Sequence, residues 1–146
     1  MNWERIFSLS HLLVLPFWAL MIFAPRWRWT QRIMRSLWVM APIALLYAIL
    51  VLPQLGALGP TLAQPSAAGV AAGLGQPAGA TIGWVHFLAF DLFVGRRVYL
   101  DSRQRGRNAW WMGVVLLFTF MLGPIGLLLY LGDRALVRGA QPSAKD

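Results

Sequence analysis

Four long apolar stretches limit what this chain can fold into more than any other feature. They run over Ile6–Ala24, Leu37–Leu58, Ile82–Leu100 and Trp110–Leu131. The hydrocarbon core of a bilayer is about 30 Å thick, so a helix that crosses it needs about 20 mainly apolar residues. Only 12% of the residues are charged, whereas soluble domains carry about 25%. We therefore predict an all-α integral membrane protein, a bundle of four transmembrane helices forming one domain over residues 1–146.

Arginines in the short connecting segments predict the orientation of these helices. They cluster in the segments 25–36 and 96–109, whereas the segment 59–81 contains no Lys or Arg. Lys and Arg in short loops favour the cytoplasmic side. We therefore expect both arginine-rich segments in the cytoplasm and the N- and C-termini outside. Arginine-rich loops, short ends and the lack of a transit peptide are typical of a protein of the bacterial cytoplasmic membrane.

Composition also excludes several kinds of site and partner. The chain has no cysteine, two histidines and five acidic residues, so thiolate chemistry is excluded and neither a metal site nor a cofactor is expected. The net charge of +8 comes from arginines between apolar stretches, a pattern that sets membrane topology, so no nucleic-acid partner is expected. The expected partners are membrane lipid and either further copies of the chain or another membrane protein.

The segment 59–81 is uncharged and rich in Gly, Ala and Pro. Two interpretations remain open for it. It is either a flexible linker outside the membrane or a segment that lies in the interface or dips back into the bilayer. Gly69 and Gly73 form a GxxxG motif, which is weak evidence for helix packing outside a clear span.

Asp91 is the least expected residue of the third apolar stretch, because an ionised Asp at the bilayer centre costs about 2.5–3.5 kcal/mol. We expect it to face the helix bundle, and to be neutral or to have a polar partner. It either donates a hydrogen bond between helices or acts as a proton donor. His86 lies five residues earlier, about 140° away around the helix. His11, in the first stretch, is expected at a depth similar to that of His86.

Two further features of the apolar stretches are a charged side chain and a predicted helix kink. Arg96 either extends to the interface, turns back toward Asp91 or binds the polar end of a ligand. The GPIG sequence at Gly123–Gly126 predicts a kink in the fourth helix, because proline cannot donate a main-chain hydrogen bond. A neutral Asp91 is expected to donate to the Thr119 hydroxyl or to a main-chain carbonyl freed by the kink, such as that of Phe120.

Aromatic side chains are the remaining signal in the third and fourth stretches. They either line a pocket for a long apolar ligand or face lipid and pack between helices. The residues are Phe87, Phe90, Phe93, Phe118 and Phe120.

Three segments resemble one known family. LPFWALMIFAP (15–25), WVHFLAFDLFVGRRVYLDS (84–102) and FMLGPIGLLLY (120–130) are similar to the abscisic-acid-deficient-four-like family, known from plants for neoxanthin synthesis. The pattern W-x-H-x-x-x-x-D-L-F-x-x-R is its most specific part. It falls on Trp84, His86, Asp91, Leu92, Phe93 and Arg96, followed by Tyr99 and Asp101, and the Gly-Pro-x-Gly motif falls on Gly123, Pro124 and Gly126.

The resemblance implies a small membrane protein that acts on, or with, a carotenoid or similar isoprenoid. In plants the family is needed to convert violaxanthin to neoxanthin, an isomerisation that opens an epoxide and forms an allene. Such a reaction needs an acid and a base, and the resemblance implies Asp91 as the acid and His86 as the base. The residues implied for ligand binding are Trp84, Phe87, Phe90, Arg96, Thr119, Gly123 and Pro124. The alternatives are a non-catalytic subunit that binds pigment or lipid within a larger complex, and a transporter component.

Overall fold

The computed structural model describes residues 2–139, and this part of the chain is helical without any strand. The helices are α1 (Trp3–Phe23), α2 (Arg28–Arg35), α3 (Ala41–Val51), α4 (Leu55–Ala63), α5 (Ala67–Leu74), α6 (Pro77–Gln104) and α7 (Ala109–Gly139). Short 3₁₀ turns at Leu37–Met40 and Leu52–Gln54 flank α3.

Four helical stretches are long and apolar enough to cross a membrane. They are Trp3–Phe23, Leu37–Thr61, Pro77–Gln104 and Ala109–Leu136. The predicted all-α fold with four apolar stretches is therefore confirmed. The side of the membrane on which each end lies stays a prediction, as does the single domain predicted for residues 1–146.

Within the described residues, the chain forms two compact units. Unit 1 contains the described parts of Met1–Phe17 and Ser36–Leu92, and unit 2 contains those of Trp18–Arg35 and Phe93–Asp146. In unit 1, apolar side chains of α6 are buried at helical spacing, as shown by Val85, Leu88 and Leu92. Residues that recur every three or four positions share one face of a helix, so this face forms the core side of α6.

The segment 59–81, for which a flexible linker and an interfacial or re-entrant segment were both open, is helical over most of its length. It holds the end of α4, all of α5 and the start of α6. Alanine favours helix, and Ser66 caps α5 by accepting a hydrogen bond from the Gly69 main-chain N–H at 3.1 Å. Pro77 begins α6, where a proline has no hydrogen bond to lose.

The two arginine-rich segments are partly helical. The first contains α2, which buries Thr30 and Met34, and the Thr30 hydroxyl donates to the Ala24 carbonyl at 2.8 Å. The second begins inside α6, which continues to Gln104. Both segments were predicted as loops, because they are rich in charged and turn-forming residues. The apolar residues on the buried faces of these helices are too few to stand out in such a sequence.

Helix α7 reverses its direction at Leu122. Leu122 has non-helical backbone angles, φ −143° and ψ 51°. A Cβ added at Gly126 would lie under 3.0 Å from the main-chain N and Cα of Thr119, although residues seven apart in a straight helix are separated by about 10.5 Å. The Trp111 indole donates to Asp133 at 3.0 Å across 22 residues. The arms before and after Leu122 therefore pack against each other as an antiparallel hairpin.

This reversal bears on the prediction for the C-terminal part of the chain, whose side of the membrane stays a prediction. The sequence placed Trp110–Leu131 as one crossing, with the C-terminus across the membrane from the segment 96–109. Asp133 pairs with Arg107, so this part of the second arm lies beside that segment. The arms 109–121 and 123–139 are about 20 and 26 Å long, and neither alone matches a hydrocarbon core of about 30 Å. The kink predicted at GPIG is confirmed, and it is a full reversal.

Candidate functional site

His86 lies in an aromatic cluster of unit 1. The centroid of its ring is 4.6 Å from that of Phe90, 5.5 Å from that of Tyr47 and 6.2 Å from that of Phe87. Phe90 follows His86 by one helical turn on α6, whereas Tyr47 comes from α3. Within residues 2–139, both hydrogen bonds made by histidine rings belong to His11. The imidazole of His86 therefore has apolar contacts, and its nitrogens are free to act on a ligand.

His11 has a different environment, although it also lies in unit 1. Its Nε2 accepts a hydrogen bond from the Trp84 indole N–H at 3.0 Å. Because an indole N–H only donates, Nε2 carries no proton, and Nδ1–H donates to the Phe7 carbonyl at 3.0 Å. The ring of Phe7 packs at 5.3 Å from His11 and 5.4 Å from Trp84. Both nitrogens of His11 are thus hydrogen-bonded, and the bond of Nε2 to Trp84 joins α1 to α6.

Asp91 is half-buried on α6. Within residues 2–139, the hydrogen bonds and ion pairs of aspartate side chains belong to Asp101 and Asp133. The carboxyl group of Asp91 therefore has no polar partner among the described residues of unit 1. A carboxyl group in that position is expected to be neutral or to bind a ligand. Its expected bond to Thr119 or Phe120 would join the two units and stays a prediction.

The other residues of unit 1 that were predicted to bind a ligand are one tryptophan with a hydrogen-bonded indole and two phenylalanines with exposed rings. Trp84 holds His11, so its polar atom is already used. Phe87 and Phe90 are 56% and 59% exposed, so their rings are not core residues. In an apolar helix such exposed rings are expected to face lipid or a ligand that arrives from the lipid.

The remaining predicted binding residues lie in unit 2. Arg96 is buried, and its Nη2 donates to the Arg35 carbonyl at 2.9 Å. The Thr119 hydroxyl donates to the Val115 carbonyl of its own helix at 2.8 Å. Gly123 and Pro124 follow Leu122 directly and form the start of the second hairpin arm. Thr119, Gly123 and Pro124 therefore build the reversal of α7.

Each unit has a cavity among its described residues. The cavity of unit 1 has a volume of about 300 Å³ and lies between the first turns of α1 and the α5–α6 turn; its lining residues include Trp3, Phe7 and Pro77. That of unit 2 has a volume of about 540 Å³, and its lining residues include Ile22, Arg26 and Trp110. Neither lining contains His86 or Asp91. Within the described residues, no group of three or more His, Cys, Asp or Glu side chains could hold a metal ion.

The comparisons with known proteins identify the family. The sequence profile described as ABA4-like, ABA DEFICIENT 4-like, matches residues 5–130. The chain belongs to the ABA4-like family. No curated protein and no solved structure matches it. The family predicted from the three motif segments is thus confirmed, and the matched region contains every residue that the sequence predicted for the site of this ABA4-like protein.

The structure adds site candidates that the sequence analysis missed. Trp18 in unit 2 is 2% exposed, packs on Gly95 and lies 5.1 Å from Phe120. Its indole N–H is buried without an acceptor within residues 2–139, so it is free to donate to a ligand oxygen. Trp18 lies in the first resembling segment, but an apolar stretch in a sequence does not reveal an unpaired N–H.

A polar network at the base of the α7 hairpin was also missed. Asp101 accepts hydrogen bonds from the Tyr130 hydroxyl and from the Arg105 Nε, the latter at 2.6 Å. Asp133 accepts from the Arg107 Nε at 2.9 Å and from the Trp111 indole. Charge-assisted hydrogen bonds of this kind are about twice as strong as neutral ones. The sequence signal was the presence of two carboxylates beside an arginine-rich segment.

Proposed function

We propose that this ABA4-like protein binds a carotenoid or a related isoprenoid within the membrane and isomerises it by acid–base chemistry. His86 is the base and Asp91 is the acid. The family membership supports a role of this kind, and the observation that carries it is the state of these two side chains. Both are ionisable and lie in an apolar helical stretch, and neither has a hydrogen-bonding partner among the described residues of unit 1. The bonded state of His11 shows what a purely structural histidine looks like in this unit.

The exposed aromatic rings beside His86 support entry of an apolar ligand from the bilayer. Phe87 and Phe90 contact the imidazole and are more than half exposed. A polyene chain is flat and apolar, so it packs well against such rings. We propose that a ligand lies across Phe87 and Phe90, with its polar end group directed toward His86 and Asp91.

The proposed reaction is an isomerisation of an epoxide to an allenic alcohol, and its atoms balance. His86 removes a proton from the vinylic carbon beside the epoxide, and the electron pair of that C–H bond forms the second double bond of the allene. The adjacent C–O bond breaks, and its oxygen takes a proton from Asp91. The product has the same formula as the substrate. Transfer of one proton from His86 to Asp91 restores both groups.

Pigment analysis of a gene-deletion strain tests this function. The strain is complemented with the wild-type gene or with the Asp91→Asn or His86→Gln variant, and its carotenoids are separated by chromatography. We expect the wild-type gene to restore a product pigment, and both variants to lose it while the protein stays folded in the membrane. An unchanged pigment profile in Asp91→Asn would contradict catalysis by this residue.

The second candidate function is non-catalytic binding of a pigment or lipid within a larger membrane complex. The exposed aromatic rings Phe87 and Phe90 favour it, because binding needs apolar surface and no proton transfer. This alternative predicts that protein purified in mild detergent carries a stoichiometric coloured ligand or an associated membrane protein. It also predicts that Asp91→Asn retains the ligand. Protein isolated without pigment, lipid or partner would contradict it.

A further inference from the structure

One face of α6 in unit 2 is lined by two arginines and a tyrosine. Arg96, Tyr99 and Arg103 recur at three- and four-residue spacing, which places them on one side of a helix. The Tyr99 hydroxyl donates to the Pro25 carbonyl at 2.8 Å, and Arg96 Nη2 donates to the Arg35 carbonyl at 2.9 Å. This face of α6 is therefore covered by the segment 25–35, which contains α2.

The two arginines of this face have buried nitrogen atoms without partners. Arg96 is only 8% exposed, and its Nε has no acceptor within residues 2–139. The Nε of Arg103 is also buried without an acceptor among these residues. A guanidinium group carries five N–H donors, and buried polar groups in proteins are nearly always hydrogen-bonded. Two orphaned donors on one helix face therefore indicate that an acceptor binds there.

Neither carboxylate in the described part of unit 2 is left to neutralise these arginines. Its described acids are Asp101 and Asp133. Asp101 is bonded to Arg105 and Tyr130, and Asp133 is bonded to Arg107. The covering segment adds only positive charge, with arginines at positions 26, 28, 32 and 35 and no acid. Burying a cation without a counter-ion is unfavourable, so an external anion is the group that fits.

We propose that Arg96 and Arg103 form a binding site for the phosphate group of a membrane amphiphile. The planar fork of a guanidinium matches the oxygens of a phosphate. Trp27 and Trp29 are exposed in the covering segment, and tryptophans of this kind mark the headgroup level of a membrane. The shared chemistry is a phosphate anion, supplied either by a lipid headgroup or as free phosphate. This site is independent of the proposed reaction at His86 and Asp91.

Binding measurements on three single variants test the site. Arg96→Gln and Arg103→Gln each remove one of the two guanidinium groups whose Nε atoms are buried. Arg97→Gln is the matched control, because Arg97 is adjacent, carries the same charge and is exposed. The purified protein in neutral detergent is titrated with phosphatidylglycerol, with phosphatidylcholine and with inorganic phosphate. Bound lipid is counted by native mass spectrometry, and thermal unfolding is followed in each case.

We expect phosphatidylglycerol to bind the wild type, and the affinity to fall about tenfold or more in Arg96→Gln and Arg103→Gln. Arg97→Gln should change it by less than about twofold. Stabilisation by inorganic phosphate alone would support the site and identify free phosphate as a sufficient ligand, whereas stabilisation by phosphatidylglycerol only would support a headgroup site.

Two results would overturn the proposal. Equal weakening in all three variants would mean that surface charge alone attracts the lipid. Failure of both phosphatidylglycerol and inorganic phosphate to bind would mean that no anion site exists. If Arg96→Gln does not yield folded protein, the comparison of Arg103→Gln with Arg97→Gln decides between these outcomes.

Discussion

Substitution of Gly126 by alanine tests the reversal of α7. The added Cβ would lie under 3.0 Å from the main-chain N and Cα of Thr119 and from its hydroxyl oxygen. Main-chain atoms of the facing arm cannot rotate away, so the cost is expected at the upper end of the 1–3 kcal/mol typical of overpacking. The higher helix propensity of alanine returns about 1 kcal/mol. The net loss of stability is therefore about 2 kcal/mol.

The matched control is Gly132→Ala on the second arm. A Cβ at Gly132 meets no atom within 4 Å, so only the propensity gain of about 0.5–1 kcal/mol remains. Both variants are unfolded in mixed micelles by titration with sodium dodecyl sulfate and followed by tryptophan fluorescence. We expect the two unfolding free energies to differ by about 3 kcal/mol, which is more than a hundredfold in the equilibrium constant. Equal stability of Gly126→Ala and Gly132→Ala would refute the hairpin.

Two further predictions follow from unit 2. The chain has no cysteine, so a single introduced cysteine reports the side of the membrane on which it lies. Gln104→Cys and Leu136→Cys should react with an impermeant maleimide from the same side of the membrane. Labelling from opposite sides would mean that α7 crosses the membrane completely. Tyr130→Phe removes the hydroxyl that donates to Asp101. This substitution should lower the unfolding free energy by about 1.5–3 kcal/mol in the same micelle titration. A change of less than about 0.5 kcal/mol would mean that this hydrogen bond does not stabilise the second arm of α7.

The apolar stretches could be predicted because hydropathy depends only on local composition. Each of the four predicted stretches lies in a helical region of the structure, apart from Ala24 at the end of the first. The reversal in α7 could not be predicted in the same way, since an average over the stretch hides one non-helical residue at Leu122. The GPIG sequence indicated a defect there. How far the chain turns depends on the pairing of Trp111 with Asp133, which lie 22 residues apart.

The sequence predicted which residues are candidates for the site, but not the tertiary contacts that distinguish them. The family motif and the cost of a carboxylate in an apolar stretch identified His86 and Asp91. The sequence did not distinguish His86 from His11, because that difference depends on a contact between His11 and Trp84 across 73 residues. The orphaned nitrogen atoms of Trp18, Arg96 and Arg103 likewise follow from tertiary packing. Residue types in a sequence do not state which donors remain without acceptors.

Direct conversion of substrate by the purified protein tests the central claim, that His86 and Asp91 carry out an acid–base isomerisation. Wild-type protein and the Asp91→Asn variant are reconstituted in lipid vesicles and incubated with an epoxy-carotenoid, and the products are separated and weighed by mass spectrometry. The account predicts an allenic product of unchanged mass with the wild type, and a loss of at least about a hundredfold in rate with Asp91→Asn. Equal conversion by both proteins, or none by the wild type, would contradict it.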